Sequence, residues 1–264
     1  MKKLMGSICL SASALILTST NAQAEDYIQF QVNAVAAGYS WDADEDVLYG
    51  NGNESGEVYQ LQYEHFDVNK FGRNWFDLEH TFGDDLGGIP GNDNTYVIFA
   101  NPAFSLSKLT GANVSLGPIS DVMLSYRYEK SDYGSFEANN YGILLTWNIP
   151  GFQWFETDFY YRKTDFDGNV VRDANLFSRI FYQSNDIMIG DIAIKHMATF
   201  IVNNRKDDFG NEIVFRPDFF VFLNEARTLD AGMRFDIHHF ENPDFLGGGD
   251  ETVFTPRAMI RYYF

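Results

Sequence analysis

The C-terminal segment alternates to its last residue. Thr255, Arg257, Met259, Arg261 and Tyr263 share one face, while Phe254, Pro256, Ala258, Ile260, Tyr262 and Phe264 share the other. Successive side chains of a strand point to opposite faces, so one face here is charged and the other is apolar. A soluble sheet can divide core from water in this way. A charged face opposed by an aromatic and aliphatic face that runs to a terminal phenylalanine also describes the closing strand of an outer-membrane barrel, with lipid outside and a polar lumen inside.

The same period recurs along the chain. Runs punctuated by Gly, Asn and Asp predict strands near 27–39, 57–66, 74–83, 95–107, 121–130, 139–148, 152–163, 173–183, 187–202, 213–223, 228–240 and 253–264. Tyr59, Leu61 and Tyr63 oppose Gln60, Gln62 and Glu64, and Leu124, Tyr126 and Tyr128 oppose Ser125, Arg127 and Glu129. Tyr and Trp near strand ends suit the headgroup level of a bilayer. No stretch beyond the N-terminus approaches 18 consecutive apolar residues, which excludes helical spans.

At the N-terminus, Lys2 and Lys3 precede an apolar run from Leu4 to Leu17, and Ala22-Gln23-Ala24 has the form of a cleavage site. The expected organisation is a cleaved signal peptide over 1–24, then one all-β domain over 25–264, a 12-stranded antiparallel transmembrane β-barrel. The only cysteine, Cys9, falls in the leader, so no disulfide or cofactor chemistry is expected of the mature chain. The leader holds two of the 19 basic residues and none of the 37 acidic ones, so its removal leaves 17 against 37, a net charge of −20. That balance excludes nucleic acid as a partner. A soluble acidic β-sandwich is the alternative that composition leaves open.

An even strand number puts both termini on the periplasmic side and assigns each connection to a rim. The outward connections (40–56, 83–95, 130–138, 164–173, 203–212 and 241–252) hold 20 acids, such as Asp42, Asp44, Glu45 and Asp46, against four bases. The inward connections (67–73, 108–121, 149–151, 184–186 and 224–227) hold four acids and four bases. An acidic outer mouth predicts lipopolysaccharide contacts bridged by divalent cations, and a preference for neutral or cationic solutes over anions.

Alternation also nominates the lumen. Glu64, Trp75, Asp77, Glu79, Arg127, Glu129, Trp154, Asp158, Tyr160, Arg162 and Arg234 are the candidate binding residues, and Asp191, Lys195, Phe220 and Tyr263 also read as inward. Charge pairs can simply compensate one another inside a barrel. Flat rings in a polar channel offer stacking surfaces to a base or sugar, beside carboxylates and guanidinium groups that bond hydroxyls.

Two internal segments are more specific. Leu61-Gln62-Tyr63-Glu64 followed by Asn74-Trp75-Phe76-Asp77 resembles the L-E-Y-E…D-W-F-D strand pair of the Tsx and OmpK family of nucleoside-specific outer-membrane channels. Phe104-Ser105-Leu106-Ser107-Lys108-Leu109-Thr110, with Leu116-Gly117-Pro118 after it, is similar to that family's F-S-I-D-K-L-T…F-G-P segment. The C-terminal Tyr262-Tyr263-Phe264 adds to the likeness, which extends thinly over the mature chain. The resemblance implies a monomeric 12-stranded barrel with a narrow lumen and diffusion of nucleosides and similar small solutes, and some relatives also serve as phage or colicin receptors through their external loops. Of the family's pattern, Glu64, Trp75 and Asp77 carry over.

The competing readings are a surface receptor, a general porin and, more distantly, an outer-membrane protease of the omptin kind. Asp236-Ile237-His238 has that protease's Asp-x-His spacing, but Asp84 and Asp85 are adjacent and point to opposite faces, so they cannot converge on one water. No histidine is followed by serine two positions on, against a barrel phospholipase. His238 and His239 are expected as polar rim residues, and no enzyme activity is expected.

Overall fold

The computed structural model describes residues 27–46, 49–165, 174–205, 211–242 and 248–264. The signal-peptide expectation over 1–24 lies outside them, as do most of the acidic connections near 167–173, 206–210 and 243–247.

The strands are β1 (Ile28–Ser40), β2 (Val58–Asn69), β3 (Gly72–Phe82), β4 (Asn94–Ala100), β5 (Ala103–Ser105), β6 (Ile119–Ser131), β7 (Glu137–Trp147), β8 (Phe152–Asp165), β9 (Ala174–Ser184), β10 (Ile187–Ile189), β11 (Ile192–Arg205), β12 (Asn211–Phe222), β13 (Leu229–Asn242) and β14 (Gly249–Tyr263), with one short helix, α1 (Leu106–Thr110). All pairings are antiparallel between sequence neighbours, and β14 returns to pair with β1, which closes the sheet. The fourteen strands make twelve staves, because β4 and β5 form one interrupted stave between β3 and β6, and β9 and β10 form another along β11. The 12-stranded barrel expected from alternation is the observed fold.

Two staves differ from the expected spans. The strand read over 95–107 stops at Ala100, resumes at Ala103 and turns into α1 after Ser105. Pro102 has no N–H to donate to the ladder. Asn101 repairs the gap: its buried side-chain amide donates to the Tyr126 carbonyl at 2.8 Å, where a ladder bond would lie. The strand read over 187–202 is also divided. The reversal falls at Gly190-Asp191, where Gly190 has φ 61°, and not at 184–186. Asp191, expected inside, is therefore an exposed turn residue.

The outward face is apolar and the inward face polar, as alternation predicts. Across β6, β7 and β8 the outward rows are Leu124–Ile143–Phe159, then Tyr126–Tyr141–Tyr161, then Tyr128–Asn139–Lys163, then Lys130–Glu137–Asp165. Hydrocarbon side chains thus give way to tyrosines and then to charge towards the rim opposite the termini, the order of a bilayer interface. Inward positions of the same strands are Ser125, Arg127 and Glu129 on β6, and Glu156, Asp158, Tyr160 and Arg162 on β8, all buried.

The segment Phe104–Thr110 has a structural use. The Ser105 hydroxyl accepts from the Lys108 backbone N–H at 3.0 Å and caps α1, while Gly111 closes it at φ 72°. Lys108 Nζ donates to the Asn69 carbonyl at 2.6 Å and to Gln29 Oε1 at 3.0 Å, tying the helix across the terminal rim. Desolvation pushes the Lys108 ammonium below the usual lysine range.

Candidate functional site

A cavity of about 730 Å³ occupies the lumen and is lined by residues from almost every stave. Its size lies within the range of about 300–1,000 Å³ usual for small-molecule sites. Of the sequence candidates, Glu64, Trp75, Asp77, Glu79, Arg127, Glu129, Trp154 and Arg234 line it. Asp158, Tyr160 and Arg162 also point inward, but they are packed into the wall behind that surface.

Two families of ion pairs cover most of the wall. On the side of β3, β6, β8 and β9, Arg73 makes a two-pronged contact with Glu156 at 2.8 and 2.9 Å. Arg179 bridges Glu156 at 3.2 Å and Asp158 at 2.6 Å. Glu129 receives Arg127 at 2.6 Å and Arg162 at 2.8 Å. On the side of β12, β13 and β14, Arg234 grips Asp218 at 2.9 and 3.0 Å, Arg261 grips Asp230 at 2.9 Å, and Asp236 holds both Arg216 and Arg257. Gly38 leaves room for Arg257, since a Cβ there would sit 2.6 Å from Arg257 Cδ. Paired in this way, charges can be buried without an uncompensated ion.

Arg216 and Arg234 both reach Glu79 across the bore, at 2.9 and 3.6 Å. Arg216 Nη1 donates to Glu79 Oε1 at 2.9 Å, although β12 and β3 are separated around the ring by β13, β14, β1 and β2. Arg234 reaches the same wall, donating to Gln62 Oε1 at 3.1 Å. Side chains from opposite staves therefore meet across the lumen at this level.

The aromatic surface is only partly free. Trp75 stacks on Phe99, with centroids 5.9 Å apart and planes at 16°. The Arg127 guanidinium lies 5.2 Å from the Trp75 ring and 4.8 Å from the Phe99 ring, and Arg179 lies 5.6 Å from Trp75. Part of the stacking surface expected of Trp75 is thus taken by the protein's own cations. Trp154 packs edge-on against Phe66 at 5.3 Å, and its buried indole N–H has no hydrogen-bond partner among the described residues. Phe220, expected as a lumen aromatic, is covered by Arg261 at 3.4 Å and is 1% exposed.

Glu64 and Trp75, the two residues that joined the first sequence motif, touch: Trp75 Nε1 donates to Glu64 Oε1 at 3.2 Å. Asp77 accepts from Gln62 Nε2 at 3.0 Å on both oxygens.

His238 is buried inside the outer mouth and not displayed on the rim. Its Nδ1 lies 2.7 Å from Asp46 and its Nε2 2.8 Å from Glu212, and Tyr49 packs on its ring at 4.7 Å. The connection after β1 thus folds into the mouth. Asp236, its partner in the Asp-x-His reading, is held by arginines. The two side chains have separate partners, which removes the geometric basis for the protease reading.

Arg73, Phe99 and Phe177 also line the cavity, and the alternation within the strands at 74–83, 95–107 and 173–183 does not single them out. The sequence pattern puts Arg73 in the connection 67–73, yet it shares the parity of Trp75 and Asp77 on β3 and is 1% exposed. The signal for it is the alternation of β3 itself, continued by one step to Arg73.

A closed, even-stranded barrel with an apolar exterior and a charged, hydrogen-bonded interior satisfies every backbone group inside a bilayer, so the chain is an integral outer-membrane β-barrel. No family model matches the sequence, and no curated protein matches it. Among solved structures, the chain is similar to a KdgM porin in complex with disordered oligogalacturonate (TM-score 0.43, 8% identity, 89% of this chain and 99% of that one). It is similar also to a bacterial polysaccharide outer membrane secretin (TM-score 0.40, 9% identity, 89% and 98%). A third is the Acinetobacter baumannii outer membrane protein Omp33 (TM-score 0.38, 13% identity, 90% and 99%).

Proposed function

We propose that this barrel is an outer-membrane channel for the diffusion of nucleosides and similar small solutes, acting without enzyme chemistry. The observation that carries the reading is the lumen site around Glu64, Trp75, Phe99 and Asp77. It sets an aromatic shelf beside two carboxylates that line the cavity and have no basic partner within 4.0 Å among the described residues. A carboxylate so placed accepts from ribose hydroxyls, and the free part of the shelf takes the base. Of the two segments that resemble the Tsx and OmpK family, the first supplies this place with Glu64, Trp75 and Asp77. Contacts of this number are moderate enough for a solute to leave as readily as it enters.

The test is planar-bilayer recording of the purified barrel. Nucleosides should reduce the ion current in a saturable way, and a conducting barrel indifferent to them would overturn the reading. Trp75→Ala should weaken that block by about 1–3 kcal/mol, the usual worth of one base–aromatic stack, while open conductance is retained. Unchanged block would remove Trp75 from the site.

Arg216→Ala should raise single-channel conductance severalfold, because it removes the side chain that meets Glu79 across the bore. Conductance equal to the parent's would place the constriction elsewhere. A receptor role for the external loops is the second reading. It is favoured by the inward-folded connection held through Asp46 and His238, which together with the crossing pair narrows the path.

A further inference from the structure

Nearly every ion lining the lumen is matched by a counter-ion. The exceptions among the described residues are Lys195, Glu64 and Asp77, none of which has an opposite charge within 4.0 Å. Asp77 is occupied on both oxygens by the Gln62 amide. Lys195 and Glu64 are less satisfied. The Lys195 ammonium has three donors. Its one hydrogen bond is to the Tyr263 hydroxyl at 3.2 Å. Among the described residues the Glu64 carboxylate receives only the Trp75 indole, on one oxygen.

These two charges flank one place. Tyr263 and Glu64 lie in the same cross-strand row, with only Ala34 between them. Adjacent strands are about 4.8 Å apart, so the backbones of Tyr263 and Glu64 are separated by about 10 Å. Ala34 projects almost nothing into that gap. Lys195 joins the cluster from the other side of Tyr263, lying 5.0 Å from its ring. Trp154, on the opposite wall, carries a buried N–H without a partner. All four side chains that bracket the gap line the cavity near the rim that holds the termini.

We propose that this part of the lumen is a binding site for small zwitterions with an apolar body, of the free α-amino-acid type. The solute's carboxylate bonds the Lys195 ammonium, its ammonium bonds Glu64, and its apolar part rests against the rings of Trp75 and Trp154. A neutral nucleoside leaves the Lys195 charge without a counter-ion, whereas a zwitterion meets both charges and adds no net charge to the lumen. This is a different ligand class from the one proposed above, in a part of the same cavity that overlaps that site at Glu64 and Trp75.

The test is calorimetric titration of the full barrel in detergent, which does not depend on whether the lumen conducts. The probes are phenylalanine, phenylalanine amide (cation only) and N-acetylphenylalanine (anion only). Phenylalanine should bind about tenfold more tightly than either singly charged analogue, about the contribution of one charge-assisted hydrogen bond. Lys195→Met should weaken phenylalanine and the N-acetyl anion but leave the amide unaffected, and Glu64→Gln should do the reverse. Equal binding of the three probes, or phenylalanine binding unchanged in Lys195→Met, overturns the proposal. The comparison of probes on the unaltered barrel decides the matter even if a variant fails to fold. A parallel titration with a nucleoside separates the two readings, since absence of nucleoside binding leaves the zwitterion result standing.

Discussion

Glu156→Leu will destabilise the barrel by about 3–5 kcal/mol, the cost usual for removing one member of a buried ion network. Glu156 is 2% exposed and sits between two arginines. Arg179 keeps Asp158 when Glu156 is lost. Arg73 keeps only its bond to the Asn101 carbonyl, so a guanidinium that is 1% exposed is left without a counter-ion. The measurement is reversible denaturant unfolding of the barrel in lipid vesicles. The exposed pair Arg227–Asp186 is the control, since Arg227 is 54% exposed and such pairs contribute about 0–1 kcal/mol. A loss at Glu156 no larger than the loss at Asp186 would mean that water in the lumen screens the inner network as it screens the surface.

Leu124→Arg will cost about 2–4 kcal/mol in the same assay, the penalty for an arginine on the lipid face near the middle of the bilayer. Leu124 is 52% exposed on the outward face, in the row Leu124–Ile143–Phe159. The opposite control is Lys163, two rows nearer the rim on that face. Lys163→Leu should change stability by no more than about 0.5 kcal/mol, as for an ordinary surface position. Equal, small effects at the two positions would contradict a lipid-facing exterior. The detergent-solubilised barrel should show a smaller penalty than the barrel in a bilayer, because a micelle deforms around the charge.

Residue parity was legible because a strand has a period of two and the barrel has only two environments. Tyr59 and Leu61 lie on the outside, while Gln60 and Gln62 lie inside, as their alternation requires. Interruptions were harder to see. Asn101-Pro102 was a local signal for a broken stave, but its repair by the Asn101 amide depends on the facing carbonyl of Tyr126. Around Asp186, Gly190 and Asp191, two turn signals competed. The neighbour's register chose Gly190-Asp191, where Ile189 faces Ile192.

Function was legible to a different depth. Alternation placed Glu64, Trp75 and Asp77 inside, and the structure brings Glu64 and Trp75 into contact. It could not show that Arg127 and Phe99 occupy part of the Trp75 surface, because Phe99 comes from another stave. Nor could it distinguish a matched charge from an unmatched one: Arg261 and Lys195 look alike along the chain, yet one grips Asp230 and the other meets only Tyr263.

The terminal strand illustrates the division. Its alternation alone determined which side chains face lipid and which face the lumen, since that choice depends only on backbone pleat and the cost of burying charge in hydrocarbon. The partners across the bore were decided only by closure of the twelve staves. Closure sets the stagger between strands, and stagger determines which distant side chains share a level. Thus Arg257 meets Asp236 on its neighbour, while Arg216 crosses to Glu79 and narrows the path.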